Sequence, residues 1–315
     1  MLSFIKKHLY LIITLSIIGL VAFWFVLIDD GNYGTTLFFT IPGSISFLIG
    51  YLKKYEGLKN SRIKKGLIGF FKINLIILLL SGVLIAIGLE GAICILMAYP
   101  FLVLPMTASY LLGLFIGNAD KNIKRNALII LMVINPSTYI FDSYTNPIKE
   151  EITSELIINT SKENIWKSLS TKIGFTNKPN ILFQKGVSYP RFIEFNNNKE
   201  ALSYFCITNN DTINLKITEF KNNDHVTFKP EKQTMPMKEL SPYKSIDAEH
   251  LHNYFYVHYG NIKLESIAFN KTKIIAKTSY SYKIAPKWYW KLWSNYIIDE
   301  MQMHVLKSIK NEHIN

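Results

Sequence analysis

Five apolar stretches crowd into the first 141 residues of this chain, at 9–28, 35–52, 67–89, 92–116 and 127–141, and nothing comparable follows them. A helix crosses the roughly 30 Å hydrocarbon core of a bilayer with about 20 such residues, so the pattern reads as a multi-pass, all-helical membrane region. The first run is too long for a signal peptide and ends in Phe23-Trp24-Phe25 with no cleavage site, so it reads as a retained helix. Lys72 lies one turn inside the third run and can snorkel to the headgroups. Pro100 and Pro105 interrupt the fourth, which neighbouring helices tolerate. The fifth is short, with Asn135-Pro136 inside it, and fits either a spanning or a re-entrant segment.

Charge alternates between these runs. Lys6 and Lys7 precede the first, Lys53, Lys54, Lys59, Arg62, Lys64 and Lys65 separate the second from the third, and Lys121, Lys124 and Arg125 separate the fourth from the fifth. Asp29, Asp30 and Glu90 occupy the opposite loops. The excess of basic residues on one side predicts a plasma-membrane protein with a cytoplasmic N-terminus. If the fifth run spans, as read here, residues beyond it face outward; if it does not, they are cytoplasmic. Lys72 and Glu90 sit near helix ends as interface anchors, and Gly113-Leu114-Phe115-Ile116-Gly117 reads as a helix-packing motif.

Residues 146–315 read as a separate α+β domain. Mean hydropathy of +0.15 is an average over two unlike halves, and the net charge of +12 is largely the loop lysines. With no dense basic patch in the second half, nucleic acid is not expected as a partner. Two cysteines, Cys94 and Cys206, make no disulfide framework or metal motif, and Cys206 reads as a small buried residue. After the turn-rich linker Asp142–Pro147 comes a strand at 151–158, then a helix started by Thr160 and Glu163 at capping-box spacing, with Ile165, Trp166 and Leu169 on its apolar face. Strands follow at 191–195, 201–208, 212–220 and 225–230, separated by Asn- and Asp-rich turns, and two longer strands lie near 254–269 and 272–283. A final helix, with Pro286 in its first turn, carries Trp290, Trp293, Ile297, Met301, Val305 and Ile309 as an apolar stripe predicted to lie on the curved antiparallel sheet.

In this order of elements, Ile157-Ile158-Asn159-Thr160-Ser161-Lys162-Glu163-Asn164-Ile165-Trp166 and Ile284-Ala285-Pro286-Lys287-Trp288-Tyr289-Trp290-Lys291-Leu292-Trp293 resemble the opening and closing segments of the helix-grip (SRPBCC, START-like) superfamily, which includes lipid-binding and polyketide cyclase-like domains. The whole chain also looks like bacterial membrane proteins of this group, in which a stretch similar to Met235-Pro236-Met237-Lys238-Glu239-Leu240-Ser241-Pro242 occurs. The resemblance implies a long helix closing a curved sheet over a cavity for an apolar small molecule or lipid. Tyr204, Met235, Met237, Tyr254, Trp290 and Trp293 are the candidate lining, although each also suits ordinary core packing.

Chemistry beyond binding has thin support. No nucleophile elbow, phosphate loop or triad pattern is present, and neither a metal nor a cofactor is expected. Glu239 and His250 are the weak candidates for a cyclase-like acid–base pair, and His250-Leu251-His252 is the densest histidine cluster. Three readings stand: membrane-anchored binding of an apolar ligand, a cyclase-like enzyme, and a protein-interaction or regulatory membrane protein. Oligomeric state is left open.

Overall fold

The computed structural model describes residues 2–27, 34–53, 62–88, 90–144, 146–198, 201–243, 252 and 254–313. The chain divides into two units: residues 1–146 with the short segments 241–243 and 284–289, and residues 147–240, 244–283 and 290–315.

The first unit is helical: α1 (Leu2–Leu27), a π-helical turn (Thr36–Thr40) that runs into α2 (Ile41–Leu52), α3 (Arg62–Ala86), α4 (Ala92–Ile116) and α5 (Lys121–Ser143). Two stretches within it, Ile68–Ala86 and Ala92–Ile116, are long and apolar enough to cross a membrane; His8–Trp24 and Thr36–Leu52 are apolar but shorter. The fifth helix is longer than its apolar run, because it takes in Lys121–Asn126 at one end and Asp142 and Ser143 at the other. Asp142, expected in a linker, is therefore a helical residue.

Polarity in this unit is inverted relative to a water-soluble bundle. Leu104 is 73 % exposed and Phe115 76 %, whereas Thr14, Ser46 and Asn135 are fully buried. The helices meet through small residues. A Cβ on Gly113 would lie 2.1 Å from the Phe47 carbonyl oxygen, and one on Gly50 2.2 Å from that of Tyr110, so the backbones of α2 and α4 touch. Gly117 meets Tyr51 in the same way, which makes the 113–117 motif a packing surface. Between α3 and α4, Tyr99 Oη donates to Asn74 Oδ1 at 2.6 Å.

The second unit contains β1 (Ile148–Ile158), α6 (Lys162–Leu169), β2 (Lys172–Gly174), α7 (Ile181–Gln184), β3 (Pro190–Asn198), β4 (Ala201–Thr208), β5 (Thr212–Lys221), β6 (His225–Pro230), β7 (Phe255–Ala268), β8 (Lys271–Tyr282) and α8 (Lys287–Glu312). The strands form one antiparallel sheet in the order β1-β8-β7-β6-β5-β4-β3-β2. Asn223 and Asn270 take positive φ at the β5–β6 and β7–β8 turns, where asparagine tolerates the left-handed region. Irregular registers at Pro190/Phe192, Ile217/Glu219 and Val257/Tyr259 add twist and let the sheet curl. Gly260 lies where a side chain would strike the Phe228 ring. A long terminal helix against a curled antiparallel sheet is the helix-grip arrangement.

Three local expectations are corrected. The N-cap of α6 is Ser161, whose hydroxyl accepts from the Asn164 amide, whereas Thr160 gives its carbonyl to the Thr272 hydroxyl. Pro286 stands just before α8 rather than inside its first turn. The buried side of α8 is also rotated from the expected stripe: Trp290, Ile298, Gln302, His304, Leu306, Ser308 and Ile309 are buried, while Trp293, Ile297, Met301 and Val305 are only partly covered. The reason is polar. Ser154 Oγ of β1 lies 2.5 Å from Asp299 Oδ1 and 2.6 Å from Gln302 Oε1, and Gln302 Nε2 donates to Thr278 Oγ1 at 2.8 Å and to the Ile152 carbonyl at 3.2 Å. These bonds set the rotation of the helix, and Leu306 and Ile309 complete the contact with the sheet core.

Replacing Gln302 with alanine leaves the Thr278 hydroxyl and the Ile152 carbonyl without their partner. An unsatisfied buried group costs about 1–3 kcal/mol. Amides of β1 and β8 should then exchange with deuterium about ten- to a hundredfold faster in Gln302→Ala, since each ~1.4 kcal/mol is a factor of ten. Unchanged exchange there would remove this network from the account of how α8 is held.

Candidate functional site

The core of the sheet unit is formed from alternate residues of successive strands. Ile193 and Phe195 of β3, Leu202, Tyr204 and Cys206 of β4, Ile213, Leu215 and Ile217 of β5, and Val226 and Phe228 of β6 belong to one cluster with Leu306 and Ile309 of α8. The cluster is unevenly sealed. Ile217, Val226 and Cys206 are buried, but Phe195, Leu202, Ile213, Leu215 and Phe228 are only partly covered. Burial pushes the Cys206 thiol up to about 12, which keeps it protonated and unreactive.

Tyr204 stands apart within this cluster. It is 2 % exposed, and its hydroxyl has no hydrogen-bond partner among the described residues. Desolvation raises its pKa far above the ordinary tyrosine value, so it remains a neutral donor. A buried hydroxyl ordinarily finds a partner, because leaving one unmet is costly. Its ring lies 5.6 Å from Phe195 and 5.9 Å from Phe228.

Phe195 links Tyr204 to the surface. Its ring stacks on Phe220 at 5.5 Å, and Phe220 meets Trp166 of α6 at 5.0 Å. These rings and Leu202 line an open cavity of about 550 Å³ between α6 and strands β3 to β5. Glu163, Lys167, Ser170, Thr171, Asn197 and Asn222 complete its lining as polar groups. The volume lies within the roughly 300–1,000 Å³ typical of small-molecule sites, and an apolar lining with a few polar groups is their usual make-up. Ser161 positions this wall by capping α6, and Ile165 and Leu169 fix the helix to the core so that Trp166 faces the strands.

Of the six lining candidates, Tyr204 alone belongs to the core cluster among the described residues. Met235 and Met237 lie on an extended strap. Met237 bridges Val187, Ser188 N donates to the Pro236 carbonyl at 2.9 Å, and Lys238 N donates to the Gly186 carbonyl at 2.9 Å. Met237 is buried and Met235 is 41 % exposed. Tyr254 accepts from Lys283 N through its carbonyl, Trp290 is buried at the start of α8, and Trp293 lies edge-on to Tyr296 at 6.5 Å. Glu239 is buried at the end of the strap, while His250 lies outside the described residues, as do Asp29, Asp30, Lys54 and Lys59 of the loops. Among the described residues no group of three metal-ligating side chains occurs. The cavity-lining residues Phe195, Leu202 and Phe220 were not singled out from the sequence. Their signal is the alternation of the strands, which says that one face is apolar without saying which part of it stays uncovered.

Three histidines of this unit sit in unlike surroundings. His225 Nε2 is 3.0 Å from Glu219 Oε1 and its Nδ1 3.1 Å from Asp224 Oδ2, and the bond to Glu219 above all raises its pKa. His304 is buried against Phe175 and Tyr189, its Nε2 has no partner among the described residues, and desolvation lowers its pKa despite a hydrogen bond to the Pro190 backbone. Desolvation likewise lowers that of His258.

No protein-family profile and no curated protein matches the chain. Solved structures similar to it include a protein from Bacillus thuringiensis described as uncharacterised (13 % identity, 53 % of this chain and 100 % of that one, TM-score 0.34). Others are norcoclaurine synthase from Thalictrum flavum in complex with dopamine and hydroxybenzaldehyde (13 %, 52 % and 86 %, 0.33) and a START superfamily protein from Mycobacterium smegmatis (7 %, 52 % and 96 %, 0.30).

The histidine environments predict an order of titration and two opposite effects on stability. His225, with its folded pKa raised, contributes stability that is complete below its unfolded value near 6.5 and fades as pH rises through the folded value. His304 and His258, with folded values lowered, cost stability as pH falls below about 6.5 and the unfolded chain takes up protons first. In an NMR titration His225 should be the last of the three to lose its proton as pH rises. His304 titrating above His225 would contradict these environments.

Proposed function

We propose that the chain is a multi-pass membrane protein whose helix-grip unit binds an apolar small molecule or lipid. The observation that carries the binding reading is the buried Tyr204 hydroxyl, without a partner among the described residues, behind a line of aromatic rings that ends in an open cavity. A ligand with an apolar body and a single hydrogen-bonding group would satisfy both features: the body covers Phe195, Leu202 and Phe220, and the polar group reaches the Tyr204 hydroxyl when the Phe195 ring swings aside. Met235, Met237, Tyr254, Trp290 and Trp293 are left as further lining candidates of the same unit.

Inverted polarity supports the membrane reading. Large apolar side chains cover the outside of the helical unit, Leu79, Leu104 and Phe115 among them, while Thr14, Thr36, Thr40, Ser44, Ser46 and Asn135 are buried inside. In water that arrangement exposes a large apolar surface, and in lipid it is the expected one. With the basic loops on the cytoplasmic side and five crossings, the grip unit faces outward.

Native mass spectrometry of the full chain, released from detergent, tests the ligand directly. The wild type should carry an extra mass that organic extraction removes. Tyr204→Phe, which keeps the ring and loses only the hydroxyl, should hold that compound about three- to tenfold more weakly, as expected for one hydrogen bond worth ~0.5–1.5 kcal/mol. A wild type that carries no added mass and takes up no lipid would sink the binding reading.

A further inference from the structure

The chain returns to its helical unit twice after leaving it. Residues 241–243 and 284–289 lie in the sheet half of the sequence, outside every apolar run, yet both belong to the helical unit. The first is held by Tyr243. Its hydroxyl donates to the carbonyl of Ala86, the last residue of the apolar Ile68–Ala86 stretch, and its ring packs against Gly88. The second is held by Tyr289, whose hydroxyl donates to the Met97 carbonyl and whose ring centre is 4.9 Å from that of Phe101. Trp288 meets Phe101 edge-on at 5.8 Å, and Phe101 also contacts Phe39 at 6.3 Å.

Depth gives these contacts their meaning. Met97 and Phe101 stand about 7 and 14 Å along the axis from Ala92, the first residue of the apolar Ala92–Ile116 stretch, at 1.5 Å per residue. In a helix that crosses a hydrocarbon core of roughly 30 Å, such positions lie at or below the headgroup boundary. The same helix turns Leu96, Pro100, Leu104 and Ala108 outward at four-residue spacing. Trp288, packed on Phe101 beside that outward row, is itself 65 % exposed, and Tyr243 is 50 % exposed. A single exposed aromatic on a water-facing surface means little. One packed against the third turn of a spanning helix is at lipid depth. Tryptophan and tyrosine suit that level, where the ring lies among acyl chains and the polar tip finds a hydrogen bond. Lys287 extends its ammonium to the Asn146 carbonyl, just past the end of α5, at 2.7 Å, as a lysine does that keeps its stem in an apolar layer and its charge outside it.

We propose that Tyr243 and residues 284–289 form a lipid anchor, with the Trp288 ring in the headgroup and upper acyl layer of the bilayer around α3 and α4. The partner is bilayer phospholipid: acyl chains meet the face of the indole, and ester or headgroup oxygens accept from its N–H. The inference rests on the membrane reading of the helical unit. It adds to that reading a part of the chain that composition assigns to the water-facing half.

Spin labels test it in the full chain, reconstituted in phosphatidylcholine vesicles. With Cys94 and Cys206 replaced by alanine, single cysteines are introduced as Trp288→Cys, Leu104→Cys and Lys216→Cys. Molecular oxygen concentrates in hydrocarbon, whereas a polar nickel chelate stays in water. The label at position 104 gives the lipid reference, and the one at position 216, exposed on β5, the water reference. At position 288 the ratio of relaxation by oxygen to relaxation by nickel should be severalfold above that at 216 and close to that at 104. A water-like ratio at 288 with a lipid-like ratio at 104 would overturn the anchor and leave the membrane reading standing. Water-like ratios at both would overturn the two together. Trp288→Phe checks the unlabelled chain: it should lower the fraction of tryptophan fluorescence quenched by brominated phosphatidylcholine, and an unchanged fraction counts against the anchor.

Discussion

The hydrogen bonds joining Ser154, Asp299, Gln302 and Thr278 govern what the rest of the grip unit presents. A helix laid on a sheet by apolar contact alone can settle at several rotations of similar energy, because the hydrophobic effect has no direction. Buried polar partners remove that freedom, since each alternative rotation strands an oxygen or an amide. With α8 turned so that Gln302 meets β1 and β8, Leu306 and Ile309 close part of the sheet. The side chains over β3 to β6 are left incompletely covered, and that residual opening leads to Tyr204.

The helical unit obeys the opposite logic. Much of its outer surface is apolar, and in the membrane setting proposed above burying carbon surface would add little to hold the helices together. Close backbone approach at Gly50, Gly113 and Gly117 supplies the contact between α2 and α4, and hydrogen bonds such as Tyr99 to Asn74 and Asn135 to Ser44 fix neighbours.

Much of this architecture is legible in the residue pattern. Alternating strands and Asn-rich turns mark the meander to within a few residues, and apolar runs mark the five helices. What escapes is what depends on long-range partners. Three-residue β2 has too few residues for a period, and α7 is a single turn. The rotation of α8 is set by Gln302, His304 and Ser308, polar residues that a hydrophobic stripe assigns to the solvent side. Asp142 reads as the start of a linker because its partners, the amides of Thr35 and Thr36, lie more than a hundred residues earlier. Tyr204 is identifiable as an apolar-face aromatic, but its unmatched hydroxyl is a property of three neighbouring strands.

The strand order carries a consequence for how the chain is made. Hairpins β3–β4, β5–β6 and β7–β8 join sequence neighbours and can close as soon as they leave the ribosome. Strand β1 cannot. Its register pairs Ile158 with Thr272 and Ile148 with Tyr282, so the first strand made is the one that waits longest for its neighbour. Until β8 is synthesised, β1 trails behind the helical segments as an unpaired edge, the kind of surface that invites mispairing. Glu150, Glu151 and Glu155 along it are charges that discourage such pairing. In the finished fold they meet Lys291, Lys277 and Lys273, so the residues that guard the strand during synthesis become ion-pair partners once it docks.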